Sequence, residues 1–199
     1  MDSTDKIVRC MRKSIQSAGL ASKEDHELKE IIGLGLPEAF QQLFPGSSDG
    51  LVNDLRKSYS EHFIDADQTP CDFYPQVMET LTVLKERGHY IAVATGKSRR
   101  GLNRVLDNLS LEDFFHSSRC ADETRSKPHP LMLEELLDEF SLQAGDAVMI
   151  GDTEFDMEMA QQASVPRVAV SYGAHHIDRL KAYSPILCAD RIDQLLSID

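Results

Sequence analysis

The sequence predicts an α/β protein: a doubly wound parallel sheet over residues 71–199, preceded by a small all-helical module over residues 4–70. Three observations predict it. Apolar residues in the first third recur only at helical spacing, and nothing there alternates like a strand. Beyond residue 71, short and nearly unbroken apolar runs alternate with helical stretches, the pattern of right-handed crossovers and strands buried on both faces. Two of those runs end in chemistry-bearing residues. Tyr90-Ile91-Ala92-Val93-Ala94 enters Thr95-Gly96-Lys97, and Ala147-Val148-Met149-Ile150 enters Gly151-Asp152. In open α/β sheets, ligands gather outside the carboxyl ends of such strands.

Taken in order, Asp2, Ser3 and Thr4 are N-cap candidates for a first helix with Ile7, Val8, Met11, Ile15 and Ala18 on one face, stopped at Gly19. A second helix is predicted over 24–32. After Gly33-Leu34-Gly35-Leu36, Pro37 opens a third through Phe40 and Leu43. A further helix over 49–63 carries Leu51, Leu55, Tyr59 and Phe63. Asp65-Ala66-Asp67 precedes Thr69-Pro70 and reads as the linker between modules. A helix over 75–87, with Val77, Leu81 and Leu84 on one face, ends at Gly88 and leads to the 90–94 strand. There follow a helix over 99–109, a strand over 117–120, a helix over 130–140 and the 147–150 strand. A helix over 155–163, strands over 167–171 and 185–188, and a terminal helix complete the chain. His175-His176 after Gly173 reads as loop, because adjacent side chains diverge and no third ligand is spaced for a metal.

The bulk numbers narrow the function. A formal net charge of -12 argues against a general nucleic-acid binder, which needs a basic face. No apolar stretch is long enough to span a bilayer. Cys10, Cys71, Cys120 and Cys188 are scattered with no Cys-x-x-Cys pair, so neither a zinc ribbon nor a thioredoxin-like motif is supported. Reduced thiols in a cytoplasmic protein are the expectation.

Three signatures carry chemistry. Thr95 offers a hydroxyl and Gly96 an unobstructed backbone N–H to a phosphate oxygen, although strand-terminal Thr-Gly pairs also serve as plain turns. Lys127, in the proline-stiffened Ser126-Lys127-Pro128-His129-Pro130, offers an ammonium to neutralise phosphate charge or is a solvated surface lysine. Asp152 ends a buried strand, and the spacing brings Asp156 of the next helical turn beside it. Two neighbouring carboxylates repel unless a cation neutralises them, and Mg²⁺ with substrate phosphate suits oxygen ligands. The alternative is a helix N-cap at Asp152 or Thr153, with Asp156 favouring the helix dipole.

In the order Thr95, Lys127, Gly151-Asp152-x-x-x-Asp156 the chain resembles the haloacid dehalogenase superfamily. It is most similar to the phosphoglycolate phosphatase-like branch, over almost its whole length. The resemblance implies a Rossmann-like core with a helical cap. Gly33-Leu34-Gly35 matches the cap's substrate-facing loop, and Phe73-Tyr74-Pro75 the return into the core. It implies that Thr95 and the Gly96 N–H hold the transferring phosphate, that Lys127 balances charge between nucleophile and phosphate, and that Asp152 and Asp156 hold Mg²⁺. The implied activity is Mg²⁺-dependent hydrolysis of a small phosphomonoester, phosphoglycolate by default, through an aspartyl-phosphate. The Gly-Asp-Thr form favours phosphatases over metal-free dehalogenases. The only partner implied is a small phosphorylated substrate, with no nucleic acid and no membrane.

The family's first motif, a strand followed by Asp-x-Asp-Gly-Thr, is not in the sequence; its first Asp is the nucleophile and its second the general acid/base. Met1-Asp2-Ser3-Thr4 resembles its tail. The expectation is a chain shortened at its N-terminus and lacking the first core strand. Losing five or six buried apolar residues at ~1.5–3 kcal/mol each comes to roughly 8–18 kcal/mol, against a whole-domain stability of ~5–15 kcal/mol. Poor stability and negligible turnover are therefore expected of these residues. The alternatives are a non-catalytic relative that binds phosphate or acts in regulation, and a phosphosugar mutase on the same core. A signalling receiver domain fits less well, because its acidic residues come first and its Lys last.

Overall fold

A computed structural model describes residues 1–65 and 72–198. Four helices come first: α1 (Thr4–Ser17), α2 (Asp25–Glu30), α3 (Leu36–Leu43) and α4 (Asp49–Asp65). Val8, Met11 and Ile15 of α1, Leu28 of α2, Phe40 of α3 and Leu55 and Phe63 of α4 form one buried cluster. Ser14 Oγ donates to the Leu55 carbonyl at 2.8 Å and pins α1 to α4. Ser3 takes the N-cap position of α1, but its side chain makes no capping bond. The start of α2 is closed by Glu24 N–H donating to Glu27 Oε2 at 2.9 Å. Pro37 lies in the first turn of α3, where its missing N–H costs nothing. Asp65 is the last residue of α4; Ala66, Asp67 and the expected module boundary lie outside the described residues.

The remaining elements alternate: α5 (Val77–Glu86), β1 (Ala92–Thr95), α6 (Arg99–Leu109), β2 (Ser117–Cys120), α7 (Leu131–Phe140), β3 (Met149–Gly151), α8 (Glu154–Gln162), β4 (Arg167–Val170), α9 (Ile177–Lys181) and β5 (Leu187–Ala189). All strand pairs are parallel, as the sequence predicts. The sheet is in two pieces, β1-β2 and β3-β4-β5. Both pieces rest on one apolar floor: Ala94 of β1 and Met149 of β3 pack against Met132 and Leu133 of α7 and Met159 of α8. Val148 and Ile150 remain 38% exposed, unusual for a run read as buried on both faces. Among the described residues no strand pairing joins the two pieces.

Several elements differ from the sequence reading, among them the last strand, which starts at Leu187 and not at 185. β1 starts two residues late because Tyr90 stacks on Phe140 at 4.6 Å and stays 58% exposed, while Ile91 N–H donates to His116 Nδ1. β3 starts at Met149 because a 3-10 turn (Ala144–Asp146) takes up the residues just before Ala147. The segment after His175 is not plain loop: His176 caps α9, its ring nitrogen accepting from Asp178 N–H. The terminal helix is of the 3-10 type over Ile192–Ser197. Cys120 and Cys188 are free thiols, and Cys10 is buried. Among the described residues no helix is long and apolar enough to cross a membrane.

Candidate active site

Thr95 is the last residue of β1, and its Oγ1 accepts from Lys97 N–H at 3.1 Å. The hydroxyl proton is thereby left to donate outward. Gly96 follows with no room for a side chain: a Cβ there would run into the carbonyls of Leu34 and Gly33. Ser98 then caps α6, accepting from Gly101 N–H.

Lys127 and Asp156 meet in the interior. Lys127 is 7% and Asp156 3% exposed, and Lys127 Nζ donates to Asp156 Oδ1 at 2.5 Å. Asp156 Oδ2 accepts from Thr153 Oγ1 at 2.8 Å and from the N–H groups of Thr153 and Asp152 at 3.1 and 3.2 Å. Thr153 returns the favour by accepting from Asp156 N–H. This reciprocal cap explains why the chain turns into α8 just here. It also commits both oxygens of Asp156, a role the sequence reading gave to the cap alternative. Gly151 permits the closeness, since a Cβ on it would strike the Asp156 side chain.

Asp152 sits at the mouth of the same turn. Its Oδ2 accepts from Ala174 N–H at 2.8 Å, and a Cβ on Gly173 would collide with it. Burial, and then the neighbouring Asp156 charge, push its carboxyl above the ordinary value, while the Ala174 amide, Lys127 and the chain's N-terminal ammonium pull the other way. A carboxylate whose charge is costly in this way suits a cation. Mg²⁺ is held through one or two carboxylates together with substrate phosphate and water, so the donor set fits it. Among the described residues no three His, Cys, Asp or Glu side chains gather to hold an ion by themselves. Tyr172, whose hydroxyl is pushed up to about 12 by burial and then by Asp152, packs its ring tilted against that of Tyr74, centroids 4.7 Å apart.

One loop touches all three signatures. The carbonyls of Gly33 and Leu34 lie against Gly96, Gly33 itself against Thr153 and Phe155, and Gly35 against Ser126. Gly35 N–H donates to Ser126 Oγ at 2.8 Å. At φ +109° Gly33 holds a conformation that residues with side chains avoid, and a Cβ would meet Thr153 as well. Gly96, Ser126 beside Lys127, and Thr153 beside Asp152 therefore all lie against residues 33–35. A second tie runs through Arg179 of α9, which pairs with Glu30 of α2 at 2.5 Å and with Glu154 of α8.

Sequence reasoning missed Ser126, His175 and Arg179. Ser126 sits next to Lys127, and its contact with Gly35, 91 residues away, has no local signal. The two histidines do diverge: His176 faces outward, whereas His175 is 3% exposed, accepts from Glu154 N–H and meets the Phe155 ring edge-on at 5.6 Å. Its Nε2 has no hydrogen-bond partner among the described residues. A cavity of about 310 Å³ opens beside Gly96, between Ser98, Ala121 and Asp122 on one wall and α3 and α4 on the other.

Residues 1–170 match the profile of the family described as Haloacid dehalogenase-like hydrolase. The chain is 28% identical over 200 residues to "Probable phosphatase IndB" of Dickeya dadantii, covering 98% of this chain and 87% of that protein. It is 26% identical over 207 residues to a phosphoglycolate phosphatase of Vibrio parahaemolyticus, covering 100% of this chain and 90% of the relative. In three dimensions it is similar to the crystal structure of a haloacid dehalogenase-like hydrolase from Bacteroides fragilis. There the TM-score is 0.89 at 26% identity, with 98% of this chain and 93% of that one covered.

Proposed function

The chain belongs to the haloacid dehalogenase-like hydrolase family, and on that footing we propose that the crevice beneath residues 33–35 is the phosphate-handling site of a Mg²⁺-dependent phosphatase acting on a small phosphomonoester. The observation that carries this reading is the convergence of Gly96, Ser126 beside Lys127, and Thr153 beside Asp152 on one three-residue loop.

The roles follow from the partners of each group. Thr95 donates its hydroxyl proton, and Gly96 its N–H, to phosphate oxygens. Lys127, fixed by Asp156, supplies a buried positive charge that cannot swing away. Asp156 is then a positioning residue for Lys127 and the cap of α8 more than a ligand in its own right. Asp152 would hold the metal, with Asp156 adding negative charge nearby. When bound, Mg²⁺ neutralises charge on the phosphoryl oxygens. The four helices before residue 65 act as a cap whose residues 33–35 shut water out.

Calorimetric titration of the purified chain with ethyl phosphate, with and without Mg²⁺, tests this. Binding that needs Mg²⁺ and weakens at least about tenfold in Asp152→Asn supports the proposal. Binding indifferent to both Mg²⁺ and Asp152 contradicts it.

A further inference from the structure

The roles above leave His175 unused, although its ring is buried against the turn that carries Asp152 and Asp156. Its bonds reach Asp152 from two sides. From the loop, His175 N–H donates to the Asp152 carbonyl at 3.1 Å, and Ala174 N–H donates to Asp152 Oδ2 at 2.8 Å. Gly173 closes the grip, lying so near that a Cβ on it would strike the Asp152 side chain. From the helix, Glu154 N–H donates to His175 Nδ1 at 3.1 Å.

Glu154 is the first residue of α8, and the leading N–H groups of a helix have no partner within it. Thr153 Oγ1 takes the N–H of Asp156, and the ring of His175 takes that of Glu154. One imidazole thus joins the loop that grips Asp152 to the helix that carries Asp156. The Glu154 carboxylate, 3.7 Å from Nδ1, is beyond hydrogen-bond range and pairs with Arg179 instead.

The ring nitrogens show what the position demands. Because Nδ1 accepts, the proton of the neutral ring sits on Nε2. Nε2 is buried and has no hydrogen-bond partner among the described residues. A buried donor without a partner is costly. An apolar side chain packed on Phe155 would avoid that cost, but it would leave the Glu154 N–H without its acceptor.

We propose that His175 is a positioning residue for the cation site: its Nδ1, on the Glu154 N–H, locks residues 173–175 against Asp152 and sets how that carboxylate is presented to Mg²⁺. The inference rests on the reading of Asp152 as the metal-holding residue and extends it to a residue that acts through Asp152. Partners that orient a metal-binding side chain are worth about 10–100-fold in metal affinity.

The test is calorimetric titration of the full chain with Mg²⁺ in excess ethyl phosphate. It is run on the wild type, Asp152→Asn, His175→Leu, His175→Asn and Ser14→Ala. Leucine fills the space without an acceptor, whereas the asparagine Oδ1 stands near the place of Nδ1. Ser14→Ala removes a buried hydrogen bond between α1 and α4 and controls for general loosening. His175→Leu should weaken Mg²⁺ binding at least about tenfold. His175→Asn should recover most of that loss, and Ser14→Ala should bind as the wild type does. Unchanged affinity in His175→Leu, or an equal loss in His175→Asn or Ser14→Ala, overturns the inference, while the metal reading stands if Asp152→Asn weakens binding. A wild type that does not bind Mg²⁺, or an Asp152→Asn variant that binds it equally well, overturns both. Hydrogen exchange on the wild type needs no variant to fold. Mg²⁺ with ethyl phosphate should slow the Glu154 amide together with those of Ala174 and His175. Slowing at Ala174 with Glu154 unchanged overturns the inference.

Discussion

Lys127 and Asp156 make the strongest single commitment in the molecule, because two charges are taken out of water together. Removing one partner of such a pair leaves the other unpaired, at about 3–5 kcal/mol. Lys127→Ala should therefore lower the unfolding free energy by that order in urea titration, enough to unfold most of a marginal chain; an unchanged urea midpoint would contradict the burial argument. Asp152 has the opposite character. Burial and the Asp156 charge raise its carboxyl above the ordinary value. A raised acid favours the folded state only while protonated, and that contribution is lost as pH climbs through the folded value. Asp152→Asn should thus melt higher than the wild type at neutral pH without Mg²⁺. The gap should narrow as pH falls toward the ordinary value of 3.8. A variant that melts lower at neutral pH would mean that the Ala174 amide outweighs the burial cost.

Among elements, the 33–35 loop and α9 decide how the helical module meets the sheet. Gly96→Ala puts a methyl group against the Leu34 and Gly33 carbonyls. Overpacking of this kind costs about 1–3 kcal/mol, so thermal melting should fall and hydrogen exchange at residues 33–35 should speed up. Arg179 ties α2 to α8, yet its side chain is 38% exposed. Solvent screening holds such a pair to about 0–1 kcal/mol. Arg179→Ala should leave global stability almost unchanged while exchange protection in α2 drops; equal protection in variant and wild type would show that Arg179 is no tether. The elements themselves were readable where their signals are local. Apolar periodicity marked α1, α4 and α5, and the Thr-Gly and Gly-Asp-Thr strand ends pointed to the candidate site. α9 was missed because five residues hold too few turns for periodicity, and its cap is a histidine.

At the scale of the whole molecule, the order of Thr95, Lys127 and Asp152 along the chain raises the expectation of one crevice, because parallel strands bring their carboxyl ends to one side. What the sequence could not give were contacts set by tertiary packing. Ser126 reaches Gly35 across 91 residues, and Asp156 turns both oxygens inward. The two-piece sheet, with Val148 and Ile150 open to solvent, predicts a marginal fold, with an unfolding free energy at or below the ~5 kcal/mol floor of ordinary domains. A urea titration yielding about 10 kcal/mol or more would contradict that. The claim on which the account turns is that residues 95, 96, 127 and 152 surround one phosphate. A crystal structure grown with Mg²⁺ and orthophosphate tests it most directly. The account predicts phosphate oxygens about 3 Å from Thr95 Oγ1, Gly96 N and Lys127 Nζ, with the ion on Asp152. Phosphate bound elsewhere, or a crevice in which Lys127 stays turned away from the anion, would contradict it.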